Sequence, residues 1–337
     1  MKLVIAPEPA AWVEPLIESL PRGETVVVAP WRQSPRAWRV ARGLSRRTAV
    51  ALGGGADLAL TLELRRAFDA LMATQTMTHV THVFAPSLSA LRVFAKARHA
   101  ERVLLLDLPL LRHLHADLDA AALAVPTAPF LQNYRAKASL VVRQEEELVL
   151  STRVLVTSRL TRQRLRKRGV ASERLGVLHL PARPRQLRYE PTSPHVLLAG
   201  TTASRFGLEP ALAAIEQLPG VVLCARRGPG SGVAMLRHPR LRLFEHEPPA
   251  VRAVIAPAWV ETFAAETGAA AAAGIPVVAT DRALGWLEQQ RNVTVIDCGD
   301  VEGLRDALAT TAGIGTQPTS SWDDVEPPAG AVVMHAR

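Results

Sequence analysis

The chain has 337 residues, long for one domain and ample for two of ordinary size, each burying its own core. Hydrophobic residues make up 48 % and aromatics only 4 %, which excludes a disordered chain and suits helix-on-sheet layers better than a β-sandwich. The net charge of +9 points to an anionic partner, whether nucleic acid, membrane or small substrate, and two widely separated cysteines, Cys224 and Cys298, exclude a disulfide scaffold or a zinc spacing.

The N-terminal run MKLVIAP stops at Pro7, too short for a signal peptide, and nowhere do about 18 apolar residues run on without a charge. A cytoplasmic protein without a transmembrane helix is expected. Strand-like runs follow in chain order: KLVIAP, ETVVVAP, RTAVALG, HVTHVFAPS and RVLLLDLP, then RVLVTS, LGVLHLP, HVLLAG, VVLCAR, LRLFE, AVIAPAW, IPVVATD and VTVIDCG. The cysteines fall in two of these runs and read as buried, reduced thiols. Helical patterns lie between them, among them ADLALTLELRRAFDALMA, LTRQRLRKRG, LEPALAAIEQLP and VEGLRDALATTAG. Apolar strands alternating with amphipathic helices predict α/β architecture, with parallel sheets covered on both faces.

The densest basic run lies on one of these helices, with Arg159, Arg162, Arg164, Arg166, Lys167 and Arg168 against a thin apolar face of Leu160 and Leu165. A solvated face and a patch for an anionic membrane surface both fit it. Nucleic acid fits less well, because aromatic residues are not interleaved and no nucleic-acid motif is present.

The pattern breaks near PARPRQLRYEPTSPHVLLAG, where four prolines precede a fresh strand at His195. Two doubly wound domains are expected, residues 1–185 and 186–337, joined by a linker at about residues 182–193. The default site is a cleft between them, beyond the carboxyl ends of the strands.

Two strand-to-helix turns of the second domain carry the chemistry. In HVLLAGTTASRFGLEPALAAI a strand ends at Gly200, and Thr201, Thr202, Ser204 and Arg205 precede a helix beginning near Gly207. Free N–H groups at a helix start favour an anion, and Arg205 adds a planar charged fork suited to phosphate. Thr and Ser are also ordinary helix caps. In VETFAAETGAAAAAGIPVVATD, Glu261 and Thr262 form a turn, an Ala-rich helix carries Glu266, Gly274 ends it, and a buried strand follows. Small side chains let such a helix lie close to a sheet.

The segment APAWVETFAAETGAAAAAGIPVVATD resembles the donor-site signature of retaining GT-B glycosyltransferases, family 4 in particular. Glu261 and Phe263 fall on its first Glu and aromatic, and Gly274, Pro276, Val277 and Val278 on its closing G-x-P-V-V. A second stretch, RQEEELVLSTRVLVTSRLTRQRLRKRGVASERLGVLHLPAR, resembles the family segment that leads through a Ser, here Ser158, to a G-V turn at Gly169 and Val170. A third, DLPLLRHLHADL, resembles the first-domain segment that places a His toward the cleft; His113 is the candidate, with His115 and Asp107 beside it. The likeness runs from about residue 100 to 315.

The resemblance implies two Rossmann-like domains facing a cleft and transfer of a sugar, with retention, from a nucleotide-diphosphate donor to a glycan or lipid-linked acceptor, as in surface polysaccharide or glycolipid synthesis. Glu261 and His113 are the implied catalytic residues. Gly200, Thr201, Arg205, Thr262, Phe263, Ala264 and Glu266 are the implied donor-binding set. No metal or other cofactor is implied, and nucleic acid is not an expected partner. Residence is cytoplasmic, with peripheral contact at an anionic membrane. The chain departs from the family pattern at Ala269, where the second Glu is usual, and at Phe206, where a Lys precedes Gly207. These departures keep open a non-catalytic glycosyltransferase-like subunit; a nucleotide-sugar epimerase of the same fold is the other alternative.

Overall fold

The computed structural model describes residues 1–7, 13–20, 25–29, 56–126, 128, 134–178, 187–228, 237–244, 250–262, 265–287, 290–310 and 332–334. The chain forms two compact units, one of residues 1–115, 134–180 and 327–337, the other of residues 116–133 and 181–326. The expected strands RTAVALG and the linker's first residues lie outside the described residues.

The first unit is built on a parallel sheet of β1 (Lys2–Ile5), β2 (Thr25–Val28), β3 (His82–Pro86), β4 (Glu101–Leu106), β5 (Arg153–Val156), β6 (Leu175–Leu178) and β15 (Val332–Met334). Its order is β15-β6-β5-β4-β3-β1-β2. The apolar runs read from the sequence become these strands because a sheet covered on both faces buries consecutive residues of its central members: Val154, Leu155 and Val156 of β5 are all enclosed. The helices are α1 (Val13–Ser19), α2 (Ala56–Met72), α3 (Leu91–Lys96), α4 (Leu111–Ala124), α5 (Ala138–Leu150) and α6 (Arg159–Lys167). The division between the units falls within α4, after His115.

The second unit carries the parallel sheet β10-β9-β8-β12-β13-β14, formed by β8 (His195–Leu198), β9 (Val222–Arg226), β10 (Leu241–Phe244), β12 (Ala253–Ala256), β13 (Val277–Thr280) and β14 (Val293–Ile296). Strand alternation sorts its residues between two cores. Val196, Leu198, Ala253 and Ile255 meet Leu208, Leu212 and Ile215 of α7 (Leu208–Glu216) and Leu304 and Leu308 of α9 (Val301–Thr310). Leu197, Ala199, Val254 and Ala256 meet Ala270 and Ala271 of α8 (Ala265–Ala272) on the other face. Each large aliphatic side chain so buried contributes about 1.5–3 kcal/mol, and the small residues of α8 let it lie close to the sheet.

Three details differ from the expectation. The linker region holds β7 (Arg188–Tyr189), which pairs in parallel with β11 (Ala250–Val251). Cys298 lies two residues beyond β14 and is half-buried, although Cys224 sits within β9 as expected. The basic helix α6 is not a uniform charged face: Arg162 is buried beside Leu165, while Arg166, Lys167 and Arg168 are exposed. The helix period turns one arginine in four residues toward the sheet, and Ser158 caps the helix by accepting from the Thr161 amide at 3.0 Å.

The first unit also encloses a polar network that supports the turn after β3. Leu88 has φ 72°, the sole positive value for a non-glycine residue among the described residues. Such backbone costs about 1–2 kcal/mol. It is held because Glu147 of α5, fully enclosed, accepts from the amides of Leu88 (2.6 Å), Ala90 (3.0 Å) and Leu91 (3.1 Å). Asp69 of α2 accepts from the amides of Arg92 and Val93 and pairs with Arg143. Gln144 accepts from the Leu111 amide at 2.7 Å and donates to Ser87, so one face of α5 holds two turns.

Burial pushes the Glu147 carboxyl up to about 7, against the opposing pull of the Leu88 and Ala90 amides and Arg143. Its proton is bound more tightly in the folded chain, so its stabilisation is fully present below the unfolded value of 4.5 and lost as pH rises through about 7. The difference in melting temperature between wild type and Glu147→Gln is expected to fall across that window, by an equivalent of at most roughly 3 kcal/mol. Thermal scans of both proteins in buffers spanning the window check this; parallel pH profiles would refute it.

Candidate functional site

The order of the second sheet places its topological switch point between β8 and β12. From β8 the chain winds outward through β9 to β10, and from β12 the other way through β13 to β14. The helices after β8 and β12 therefore leave on opposite faces, and a crevice opens beyond the carboxyl ends of these two strands. Both turns singled out in the sequence lie there.

The β8 turn begins at Gly200, with φ +94°, where an added Cβ would stand 2.7 Å from the Phe206 ring. Thr202 is enclosed and ties the turn to the end of β9: its amide donates to the Arg226 carbonyl at 2.8 Å and its hydroxyl accepts from Gly228 at 3.0 Å. A 3-10 turn, Ser204–Phe206, separates this loop from α7. The Arg205 guanidinium lies over the Phe206 ring, 4.6 Å from its centroid. The aromatic standing in place of a lysine thus holds the neighbouring arginine by its face.

The β12 turn is locked to the first. Gly207 opens α7 at φ +80°, and a Cβ there would lie 1.9 Å from the Pro257 carbonyl oxygen. The Trp259 amide donates to the Arg205 carbonyl at 3.0 Å, and the enclosed Thr280 hydroxyl donates to the Ala258 carbonyl at 2.8 Å. Trp259 is itself buried, its ring under Gly299. Glu261 follows with 8 % of its surface exposed, a burial that a carboxylate tolerates only where polar groups meet it. The Thr262 amide donates to the Arg282 carbonyl at 2.8 Å. The Arg282 side chain pairs with Asp281 at 2.6 Å and Asp117 at 3.2 Å, a cation that sequence reading missed because Asp117 lies far away along the chain.

Glu266, in the first turn of α8, reaches across to the β8 turn: its carboxylate accepts from the Gly200 amide and pairs with Arg226, the last residue of β9. Ala269, three positions later, is buried. The carboxylate that α8 presents to the β8 turn therefore belongs to Glu266. Gly200, Thr201, Arg205, Glu261 and Thr262 lie on the two linked turns and Glu266 in the first turn of α8; Phe263 and Ala264 are outside the described residues. Arg226 was missed by sequence reading, since nothing in VVLCAR distinguishes a strand-end arginine from a solvated one.

His113 and His115 stand in the first turns of α4 and belong to the first unit, as does Asp107 just after β4. His115 Nε2 accepts from the Ala136 amide at 3.1 Å, and Asp107 is held by both terminal nitrogens of the buried Arg65 at 2.8 Å. Burial pushes both thiols up, Cys224 to about 11, so neither is a ready nucleophile. Among the described residues no group of three or more His, Cys, Asp or Glu side chains is placed to hold a metal, and no helix is long and apolar enough to cross a membrane.

The contact between the two turns is tested at Gly207. Gly207→Ala meets backbone at both its φ and its Cβ, whereas Gly169→Ala has φ +84° with nothing within 4 Å. Gly169→Ala is expected to cost about 1–2 kcal/mol and Gly207→Ala at least about 1 kcal/mol more, read as midpoints of urea unfolding. Equal midpoints would contradict the close approach.

No family model matches the chain, and no curated protein matches it in sequence. Solved structures do match it. Sucrose-phosphate synthase from Thermosynechococcus elongatus aligns at TM-score 0.55 and 17 % identity over 74 % of this chain and 70 % of its own. A glycosyltransferase from Rickettsia africae ESF-5 aligns at 0.54 and 12 % identity, over 93 % and 88 % respectively. Anabaena Alr3699/HepE, solved with UDP and glucose, aligns at 0.52 and 13 % identity, over 92 % and 89 %. At such identities the likeness is one of fold: two Rossmann-like units of the GT-B glycosyltransferase type.

Proposed function

We propose that the protein is a glycosyltransferase of the retaining, family 4 kind, moving a sugar from a nucleotide-diphosphate donor to a glycan or lipid-linked acceptor. The observation that carries this reading is the meeting of the Gly200 and Glu261 turns at the switch point of the second sheet, where Gly207 brings their backbones into contact. A crevice of that kind suits a nucleotide. The fold likeness to glycosyltransferases, one of them solved with UDP and glucose, supports the same class of donor.

In this reading the donor diphosphate lies at the strand ends against Gly200, Thr201 and Arg205. Glu261 accepts hydrogen bonds from hydroxyls of the donor sugar. Departure of the diphosphate builds negative charge, and fixed guanidinium and amide groups stabilise it without solvent reorganisation. No metal is required for that step. His113 and Asp107 belong to the acceptor side. Exposed Arg166 and Lys167 at the end of α6 favour an acceptor at an anionic membrane surface, which a cytoplasmic enzyme reaches from inside. Synthesis of a surface polysaccharide or glycolipid fits such an acceptor.

Melting temperatures against a panel of nucleoside diphosphates and nucleotide sugars identify the donor, since a ligand at about 100 times its Kd adds roughly 2.7 kcal/mol. With the donor known, Glu261→Gln is expected to lower kcat/KM about 10- to 100-fold and leave the affinity for the free nucleotide within about twofold, because its partner is the sugar. Unchanged transfer by this variant would remove Glu261 from the site. Failure of every nucleotide to bind would favour the non-catalytic subunit.

A further inference from the structure

The Glu266 contacts set a problem for a phosphate-binding crevice. Gly200 offers an amide donor at the end of β8, and Arg226 offers a guanidinium at the end of β9, the neighbouring strand. These are the two kinds of group that bind a phosphate oxygen. In the structure both are turned to one internal anion, the Glu266 carboxylate. The Arg226 side chain is 41 % exposed and that of Glu266 17 % exposed, so the pair lies at the surface of the crevice and is not sealed in the core.

We propose that Glu266 is a built-in counter-anion that occupies the phosphate site in the ligand-free protein, and that an incoming diphosphate displaces it from Gly200 and Arg226. The inference rests on the nucleotide-sugar reading for its ligand, and it adds Arg226 to the binding residues. Three features support it. The backbone around Arg226 is fixed independently of the carboxylate, because its carbonyl accepts from Thr202, whose hydroxyl accepts from Gly228. The guanidinium is therefore carried on a strand end that stays in place when its partner leaves. An ion pair at a partly exposed arginine is also weak, being screened by solvent. A diphosphate brings more charge and more acceptor oxygens than one carboxylate, so the exchange favours the ligand. Finally, Arg226 ends β9, the strand paired with β8, and the turn after β8 carries Arg205.

This assignment has the opposite consequence from a ligand-gripping glutamate. Removing the competing carboxylate strengthens anion binding, whereas removing a residue that touches the ligand weakens it. Inorganic pyrophosphate and UDP, titrated calorimetrically into the whole protein, are the probes. Glu266→Ala and Glu266→Gln are each expected to bind pyrophosphate about tenfold more tightly than wild type, and Arg226→Ala about tenfold more weakly. Arg226→Ala should lose more affinity in the Glu266→Ala background than in wild type, because there its charge is no longer neutralised. Weaker binding in both Glu266 variants, each folded by circular dichroism and melting, would overturn the proposal, as would an Arg226→Ala that binds like wild type in both backgrounds. The two readings separate by probe. Tighter pyrophosphate binding in Glu266→Ala without binding of any nucleotide keeps the counter-anion and removes the nucleotide-sugar donor. UDP binding that Glu266 and Arg226 variants leave unchanged does the reverse.

Discussion

The pairing of β8 with β12, which sets Val254 opposite Leu197, is the constraint from which the candidate site follows. The two strands are far apart in the chain, yet they stand side by side at the centre of the second sheet. A right-handed crossover after each places the following helices on opposite faces. The two turns meet at the strand ends, where the Trp259 amide donates to the Arg205 carbonyl. The backbone contact of Gly207 with Pro257 closes the turns to a distance that no side chain permits.

Charge at this crevice is organised by pairing across elements. Glu266 reaches Gly200 and Arg226, Arg282 reaches Asp117 and Asp281, and Arg205 rests on Phe206. Each cation is held in a direction by a neighbour, which limits the freedom of a long side chain. The first unit shows the same economy at its own switch point, between β1 and β3. There a buried carboxylate, Glu147, holds the turn after β3 by accepting from three amides. In both units the turn at the reversal of strand order is positioned by a glutamate from a different helix.

The two glutamates differ in what surrounds them. Glu147 is enclosed, and burial dominates its protonation, so it acts as a structural brace whose strength varies with pH. Glu266 faces the strand ends with solvent access, so its contacts are exchangeable. Burial separates the brace from the exchangeable partner, although both accept backbone amides.

Most strands of the two sheets and the two turns of the second unit were legible in the sequence, whereas β7, β11 and β15 were not. β-branched and leucine-rich runs such as HVLLAG and AVIAPAW bury both faces, and Gly207 and Gly274 mark positions that only glycine fits easily. Local chemistry was enough for these, because propensity and periodicity act over a few residues. Which carboxylate meets the β8 turn depends on how α8 packs against the sheet. Ala269 and Glu266 lie less than a helical turn apart, and the packing of α8 on the sheet buries the first and turns the second to the strand ends. Arg226, Asp117 and the Glu147 brace were likewise unreadable, since their partners lie on other elements and an ion pair leaves no periodic trace in either segment. Strand order brings such partners together, and strand order is a property of the whole sheet.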